Sequence, residues 1–227
     1  MNRFFVEPGT VGADRFAMPG RIAHQVTRVL RLRDGDRIVL LEGDGTEAVC
    51  LLVAGDCLVE ERRASAGEPR HRLSICQALL KGDGLEQVVQ HGTEIGVAAF
   101  RMVVTARCVV RELSSRKLDR LRTIARESAE QCERGTVPLV EAPVPLAEVL
   151  SSASVLLYER HGGVRLGALD PPSSIVIGPE GGFSPEEVAA AERAGATLAG
   201  LGARILRSES VAPAVAAVVL SRTGDFA

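Results

Sequence analysis

The segment Ile175-Val-Ile-Gly-Pro-Glu-Gly-Gly-Phe-Ser-Pro-Glu-Glu187 constrains the fold of this chain more than any other. Ser174 to Ile177 is a short run of apolar, β-branched residues, the pattern of a strand buried on both faces. Gly178, Gly181 and Gly182 then allow backbone angles that a Cβ forbids and let main chain approach a bound molecule closely. Ser184 is suited to cap a helix, Pro185 fits its first position, and Glu187 completes a capping box. The segment therefore predicts a strand, a tight glycine turn and a helix from residue 185. A P-loop would need a Lys-Ser/Thr pair after its last glycine, and a dinucleotide fingerprint a G-x-G-x-x-G array; neither is present. Glu180 instead places a negative charge in the loop, which disfavours an anion and suits a neutral or cationic ligand. The alternative is a strand-to-helix turn that holds nothing.

The chain has 227 residues, 46% of them hydrophobic, enough for one large or two modest domains with real cores. No apolar run approaches bilayer length, and Met-Asn-Arg-Phe-Phe at the N-terminus lacks a signal-peptide core, so a cytoplasmic protein without a membrane partner is expected. Cys50, Cys57, Cys76, Cys108 and Cys132 are odd in number and form no C-x-x-C pair. They read as small core residues rather than disulfide or zinc ligands. His24, His71, His91 and His161 show no metal-ligand spacing, and no serine occupies a G-x-S-x-G elbow, so no metal and no hydrolase are expected. Glu159 and Glu180 both follow strand-like runs, with a ligand-positioning or structural role.

A net charge of −2 hides a local asymmetry. Between Arg101 and Arg134 nine basic side chains face five acidic ones, which suits phosphate contacts or a solvated helix face. With one tyrosine and no tryptophan, stacking on single-stranded RNA is disfavoured. Any RNA recognition should rest on shape and phosphate.

The stretch Ala64-Ser-Ala-Gly-Glu-Pro-Arg70 divides two differently patterned halves, giving expected domains 1–68 and 69–227. Before it, Arg3 to Val6, Ile38 to Leu41, Ala48 to Val53 and Cys57 to Glu60 read as strands, and Ile22 to Leu30 as a short helix. After it, strands (Leu73 to Leu79, Ala98 to Val104) alternate with helices (Gly84 to Ile95, Ser115 to Cys132), which implies α/β with a largely parallel sheet. The final helix, Ser210 to Ser221, is apolar nearly all round and must be buried.

Further blocks join the opening one: Leu156-Leu-Tyr-Glu159, Leu201-Gly-Ala-Arg-Ile-Leu-Arg-Ser-Glu-Ser210, Glu127-Ser-Ala-Glu-Gln-Cys-Glu-Arg134, Lys81-Gly-Asp, His91-Gly-Thr-Glu-Ile-Gly-Val97 and Arg28-Val-Leu-Arg-Leu-Arg-Asp-Gly-Asp36. In this order, along essentially the whole chain, they resemble the RsmE family of SPOUT-class methyltransferases. The combination of Gly-Pro-Glu-Gly-Gly-Phe with Leu-Gly-x-Arg-Ile-Leu-Arg is far more specific than either block alone.

The resemblance implies a small PUA-like, RNA-binding β-barrel followed by an α/β domain with a C-terminal trefoil knot, acting as a homodimer. It implies methylation of N3 of a uridine, uridine 1498, in the decoding region of 16S rRNA in the small ribosomal subunit. S-adenosylmethionine would sit against three loops, which here match Leu157, Tyr158 and Glu159; Gly178, Pro179, Glu180, Gly181 and Gly182; and Leu201, Gly202, Ile205, Leu206 and Ser210. Its cationic sulfonium and lack of phosphate agree with the acidic glycine loop. Arg207 would stabilise charge on the uracil as N3 loses its proton, with Arg134 contributing across the dimer. Two features depart from the family: Glu209-Ser-Val211 replaces the usual Glu-Thr-Ala, and His91 stands where lysine is frequent. Ser210 keeps a hydroxyl able to cap the helix, while Val211 adds bulk. A SPOUT enzyme with another target, such as a ribose 2′-hydroxyl, and a non-catalytic ribosome-binding protein of the same fold are the alternatives.

Overall fold

Short aliphatic runs separated by glycine turns build the N-terminal sheet. The computed structural model describes residues 1–158 and 164–226. Strands β1 (Asn2–Phe5), β2 (Arg15–Ala17), β3 (Arg37–Leu41), β4 (Thr46–Val53) and β5 (Asp56–Ala64) lie in the order β1-β3-β4-β5-β2. All pairs are antiparallel except β1 with β3. Phe4, Ile38, Leu40, Cys50, Leu52 and Cys57 fill the core of this module. The β4–β5 hairpin turns at Ala54 and Gly55, both left-handed (φ 54° and 87°), as a two-residue primed turn requires. The expected helix from Ile22 to Leu30 is instead a short α1 (Gly20–His24) running into a π-helical turn at Gln25–Val29. Only Ile22 and Val26 of this stretch are buried.

Two compact units are present: Met1–Glu68 with Ala129–Val137, and Pro69–Ser128 with the chain from Pro138 onward. The return of 129–137 to the first unit has a clear cause. Ala129 and Val137 pack with Phe5, Val39, Leu41 and Val49, and Glu130 accepts a hydrogen bond from the Phe5 amide at 2.8 Å.

The second unit alternates strand and helix. In chain order it comprises β6 (Ser74–Ala78), α2 (Gly84–Ile95), β7 (Ala99–Val104), α3 (Ser115–Gln131), β8 (Leu139–Pro145), β9 (Ser154–Leu157), β10 (Val164–Arg165), β11 (Ser174–Ile177), α4 (Pro185–Arg193), β12 (Thr197–Gly200) and α5 (Ser208–Ser221). The sheet order is β10-β12-β9-β11-β6-β7-β8, with every pair parallel. Helix α2 buries Leu85, Val88, Val89 and Gly92, and ends at Gly96 in the left-handed conformation (φ 114°) usual after a helix. Gly92 admits the Phe100 ring so closely that a Cβ would lie 2.7 Å from it. Helix α5 buries Ala212, Val215, Ala216, Val219 and Leu220 against α2 and β11, as its all-round apolarity predicts.

The path of the last third is unusual. Strand β12 lies between β9 and β10, so the connection from β9 to β11 reaches around β12. The chain leaving β12 then returns to pack α5 on α2 and β11. Four of the five cysteines are buried and Cys132 is half-buried. Burial pushes the Cys50 thiol up to about 12, with the neighbouring Cys57 adding to the shift. Among the described residues no helix is long and apolar enough to cross a membrane.

Candidate functional site

Strand β11 places the glycine loop at the carboxyl edge of the parallel sheet, where open α/β sheets take their ligands. The capping box forms as its residues require: Ser184 Oγ accepts from the Glu187 amide at 3.2 Å, and Glu187 Oε2 from the Ser184 amide at 2.9 Å. Glu187 Oε1 also accepts from the Ala106 amide at 2.6 Å. Gly182 is left-handed (φ 66°), and a Cβ on Gly178 would lie 3.1 Å from the buried Phe183 ring. The loop thus needs glycine at both positions. Glu180 is exposed, and its Oε1 accepts from the Lys81 amide at 3.0 Å.

A cavity of about 550 Å³ opens beside this loop, within the range of small-molecule sites. Its walls include Leu157 and Tyr158 at the end of β9, Gly178, Pro179, Glu180 and Gly182 of the glycine loop, and Leu201, Gly202, Ile205, Leu206 and Arg207 after β12. The three segments expected to share a ligand therefore meet. Charged groups on the wall are balanced: Lys81, Arg204 and Arg207 against Asp83, Glu180 and Glu209. Such a lining suits a zwitterionic or cationic ligand better than a polyphosphate.

Several expected residues lie elsewhere. Gly181 turns away from the cavity, where its carbonyl accepts from Arg107 Nη1 at 3.1 Å. Ser210 is not on the wall and does not cap α5. That helix begins two residues earlier, with Arg207 at the N-cap, which leaves Ser210 exposed in its first turn. Arg134 is 3% exposed, binds Glu68 through Nη2 at 2.9 Å in the first unit, and is not on the cavity wall. Glu159 and His161 lie outside the described residues. Val211, the bulkier residue where the family commonly has alanine, lies on the cavity wall.

The structure adds two residues that sequence reasoning missed. Gln77, fully buried at β6, donates through Nε2 to Ser208 Oγ at 3.2 Å and reaches the Gly178 carbonyl at 3.5 Å. Ser208 Oγ donates to the same carbonyl at 2.6 Å. The signal was a glutamine in the middle of an apolar strand, a costly placement unless hydrogen-bonded. The basic run from Arg101 to Arg134 is also largely consumed internally. Arg101 pairs with Glu141, Lys117 with Glu86, and Arg122 with Asp119, while Arg111 donates to the Ala106 carbonyl.

Comparison with known proteins agrees with this geometry. Residues 67–220 match the model of an RNA methyltransferase domain, and residues 19–56 that of an RNA methyltransferase PUA domain. The chain is 34% identical to ribosomal RNA small subunit methyltransferase E of Bacillus subtilis, over 92% of both chains. The chain belongs to the ribosomal RNA small subunit methyltransferase E family. The homologue from Synechocystis is 33% identical over 85% of this chain and 68% of its own. Among solved structures, methyltransferase E from Neisseria gonorrhoeae bound to S-adenosylmethionine superposes with a TM-score of 0.91 over the whole of both chains at 27% identity. A methyltransferase from Legionella pneumophila in complex with the same cofactor gives 0.80 over 97% of this chain and 96% of its own, at 25% identity. The looped path around β12 is the trefoil knot of the SPOUT fold, one of the rare exceptions to unknotted topology. In this methyltransferase E family member the knot is what brings three separate loops to one cavity.

Proposed function

We propose that this protein transfers the methyl group of S-adenosylmethionine to N3 of uridine 1498 in 16S rRNA of the small ribosomal subunit. The observation that carries this reading is the convergence of the loops at 157–158, 178–182 and 201–207 on one charge-balanced cavity. The lining fits the cofactor, which has an ammonium, a carboxylate and a sulfonium but no phosphate. The glycines leave room for main chain to contact the adenosine.

Bound there, S-adenosylmethionine supplies a methyl group already activated by its cationic sulfur. The protein's work is positional: the walls hold the donor so that a uracil nitrogen can approach in line. N3 lies on the pairing edge, so the base must be unpaired or flipped into the cavity mouth. Arg207 lines that cavity, and its guanidinium has no hydrogen bond or ion pair among the described residues. It stabilises the negative charge that develops on uracil as the N3 proton leaves to solvent water. Residues 1–68, joined by 129–137, serve as the RNA-binding domain, and the rest of 69–227 as the catalytic one. The enzyme works as a cytoplasmic homodimer on the small subunit.

Incubation with methyl-labelled S-adenosylmethionine and small subunits lacking the modification tests this reading. Label in 16S rRNA is the expected outcome. Cofactor binding without transfer to any RNA would contradict it.

A further inference from the structure

We infer that the segment Arg28–Arg33 of the N-terminal module is a phosphate-docking surface for the RNA substrate, an assignment that rests on the proposed reading of the protein as an rRNA methyltransferase. Within the first unit the other arginines are occupied. Arg3 and Arg63 hold the buried Glu47, Arg15 pairs with Asp56, Arg37 with Glu60, and Arg62 donates to the Val11 and Ala13 carbonyls. Arg28, Arg31 and Arg33 are all exposed, and among the described residues none of their guanidinium groups has a partner. They fall within six consecutive residues.

The neighbouring acids do not neutralise them. Asp34 Oδ2 is turned to the Ala54 amide at 2.9 Å, and Asp36 Oδ2 to the Arg33 amide at 2.7 Å. Both carboxylates are engaged in shaping the turn, while the guanidinium groups stay free. Between the arginines, Val29 is 63% and Leu30 38% exposed. Two adjacent bare aliphatic side chains flanked by free cations match a nucleic-acid backbone, where phosphates meet arginine and sugar or base faces meet apolar atoms.

The backbone points the same way. The π-helical turn closes with the Leu30 amide on the Gln25 carbonyl at 2.9 Å, and the Leu32 amide on the Val26 carbonyl at 3.0 Å. That closure forces Arg31 into the left-handed region (φ 56°). Glycine or asparagine normally takes this position after a helix, because a larger side chain is strained there. A strained arginine on the surface, with no side-chain partner among the described residues, is the pattern of a residue kept for a partner. The arginines of 101–134 that looked suited to phosphate in the sequence are mostly bound within the fold.

The test is the salt dependence of binding to naked 16S rRNA fragments containing the target, for the wild type, Arg28→Ala/Arg33→Ala, Arg31→Gly, and Arg193→Ala as a control at an exposed site elsewhere. The double variant should lower the slope of log affinity against log salt by about 2, and Arg31→Gly by about 1, since each lost phosphate contact removes roughly one unit. Arg28→Lys/Arg33→Lys should recover most of the slope. Arg31→Gly also relieves backbone strain, so a loss of RNA affinity with unchanged or raised melting temperature separates docking from folding. Unchanged slopes in the double variant overturn the inference. So does a loss of affinity seen with assembled subunits but not with naked RNA, which would assign the surface to a ribosomal protein. Binding is read without methyl transfer, so a wild type that binds RNA through these residues yet transfers no methyl group contradicts the enzymatic reading alone.

Discussion

Gln77 donates its side-chain N–H to Ser208 Oγ at 3.2 Å and so joins the buried end of β6 to the first turn of α5. Ser208 passes the link on to the Gly178 carbonyl at 2.6 Å. Three segments distant in sequence are thereby locked in register at the cavity: the interior strand β6, the glycine loop and the knotted helix. Both Gly178 and Ser208 line the cavity, while Gln77 does not, so Gln77 acts as a positioning residue. Gln77→Leu removes about 1 kcal/mol per neutral hydrogen bond lost. S-adenosylmethionine affinity measured by calorimetry should fall about tenfold. Ser208→Ala should show a similar loss, and the double variant less than the combined loss, because the residues share one network.

Gly182 sits at φ 66° on the cavity wall. Gly182→Ala asks a side-chain-bearing residue to hold a left-handed conformation at a cost of about 1–2 kcal/mol. The loop should relax away from its ligand-holding shape. Calorimetry should show cofactor affinity reduced about fivefold or more with little change in melting temperature.

Arg207 forms the N-cap of α5 by its backbone alone, leaving its side chain at the cavity. Arg207→Ala should therefore leave cofactor affinity close to that of the wild type and lower kcat about 100-fold or more, the usual cost of losing a charge-stabilising donor. Unchanged turnover under saturating RNA would remove Arg207 from the chemistry.

The Glu68–Arg134 pair makes a prediction about acid. Burial opposes ionisation of Glu68, but hydrogen bonds from Arg134 and Thr136, with the Arg134 charge, outweigh it and hold the carboxyl below its usual 4.5. A depressed carboxylate stabilises the fold fully above its unfolded pKa, and that contribution is lost as pH falls through the folded value. Glu68→Gln should cost about 2 kcal/mol near neutral pH, since it removes the carboxylate charge held against the buried Arg134 guanidinium. In urea unfolding, the gap between wild type and variant should narrow as pH drops below about 4.5.

The sequence made the strongly local signals legible. The capping box at Ser184 and Glu187, the strand before it and the helix at Gly84–Ile95 all follow from neighbouring residues, and the structure reproduces them. Strand β8 was missed because Pro143 and Pro145 interrupt its pattern; it is tolerated as the edge of the sheet. Strand β12 was missed because Thr197 to Gly200 is short and made mostly of small residues. At the site, the three loops could be named from their motifs, but which atoms face the cavity is decided by tertiary packing. Ser210 is able to cap the final helix by its sequence, yet the helix starts at Ser208 and Ser210 does not cap it. The hydroxyl of Ser208 is taken by Gly178, a contact made only once the chain has passed around β12. Arg134 shows the same limit, since its partner Glu68 lies 66 residues away in sequence.

The central claim concerns one nitrogen of one base, and nucleoside mass spectrometry addresses it directly. Small subunits lacking the modification, treated with the protein and S-adenosylmethionine, should yield 16S rRNA carrying a single new N3-methyluridine at position 1498. A 2′-O-methylated ribose, or a methyl group at any other position, would contradict the account.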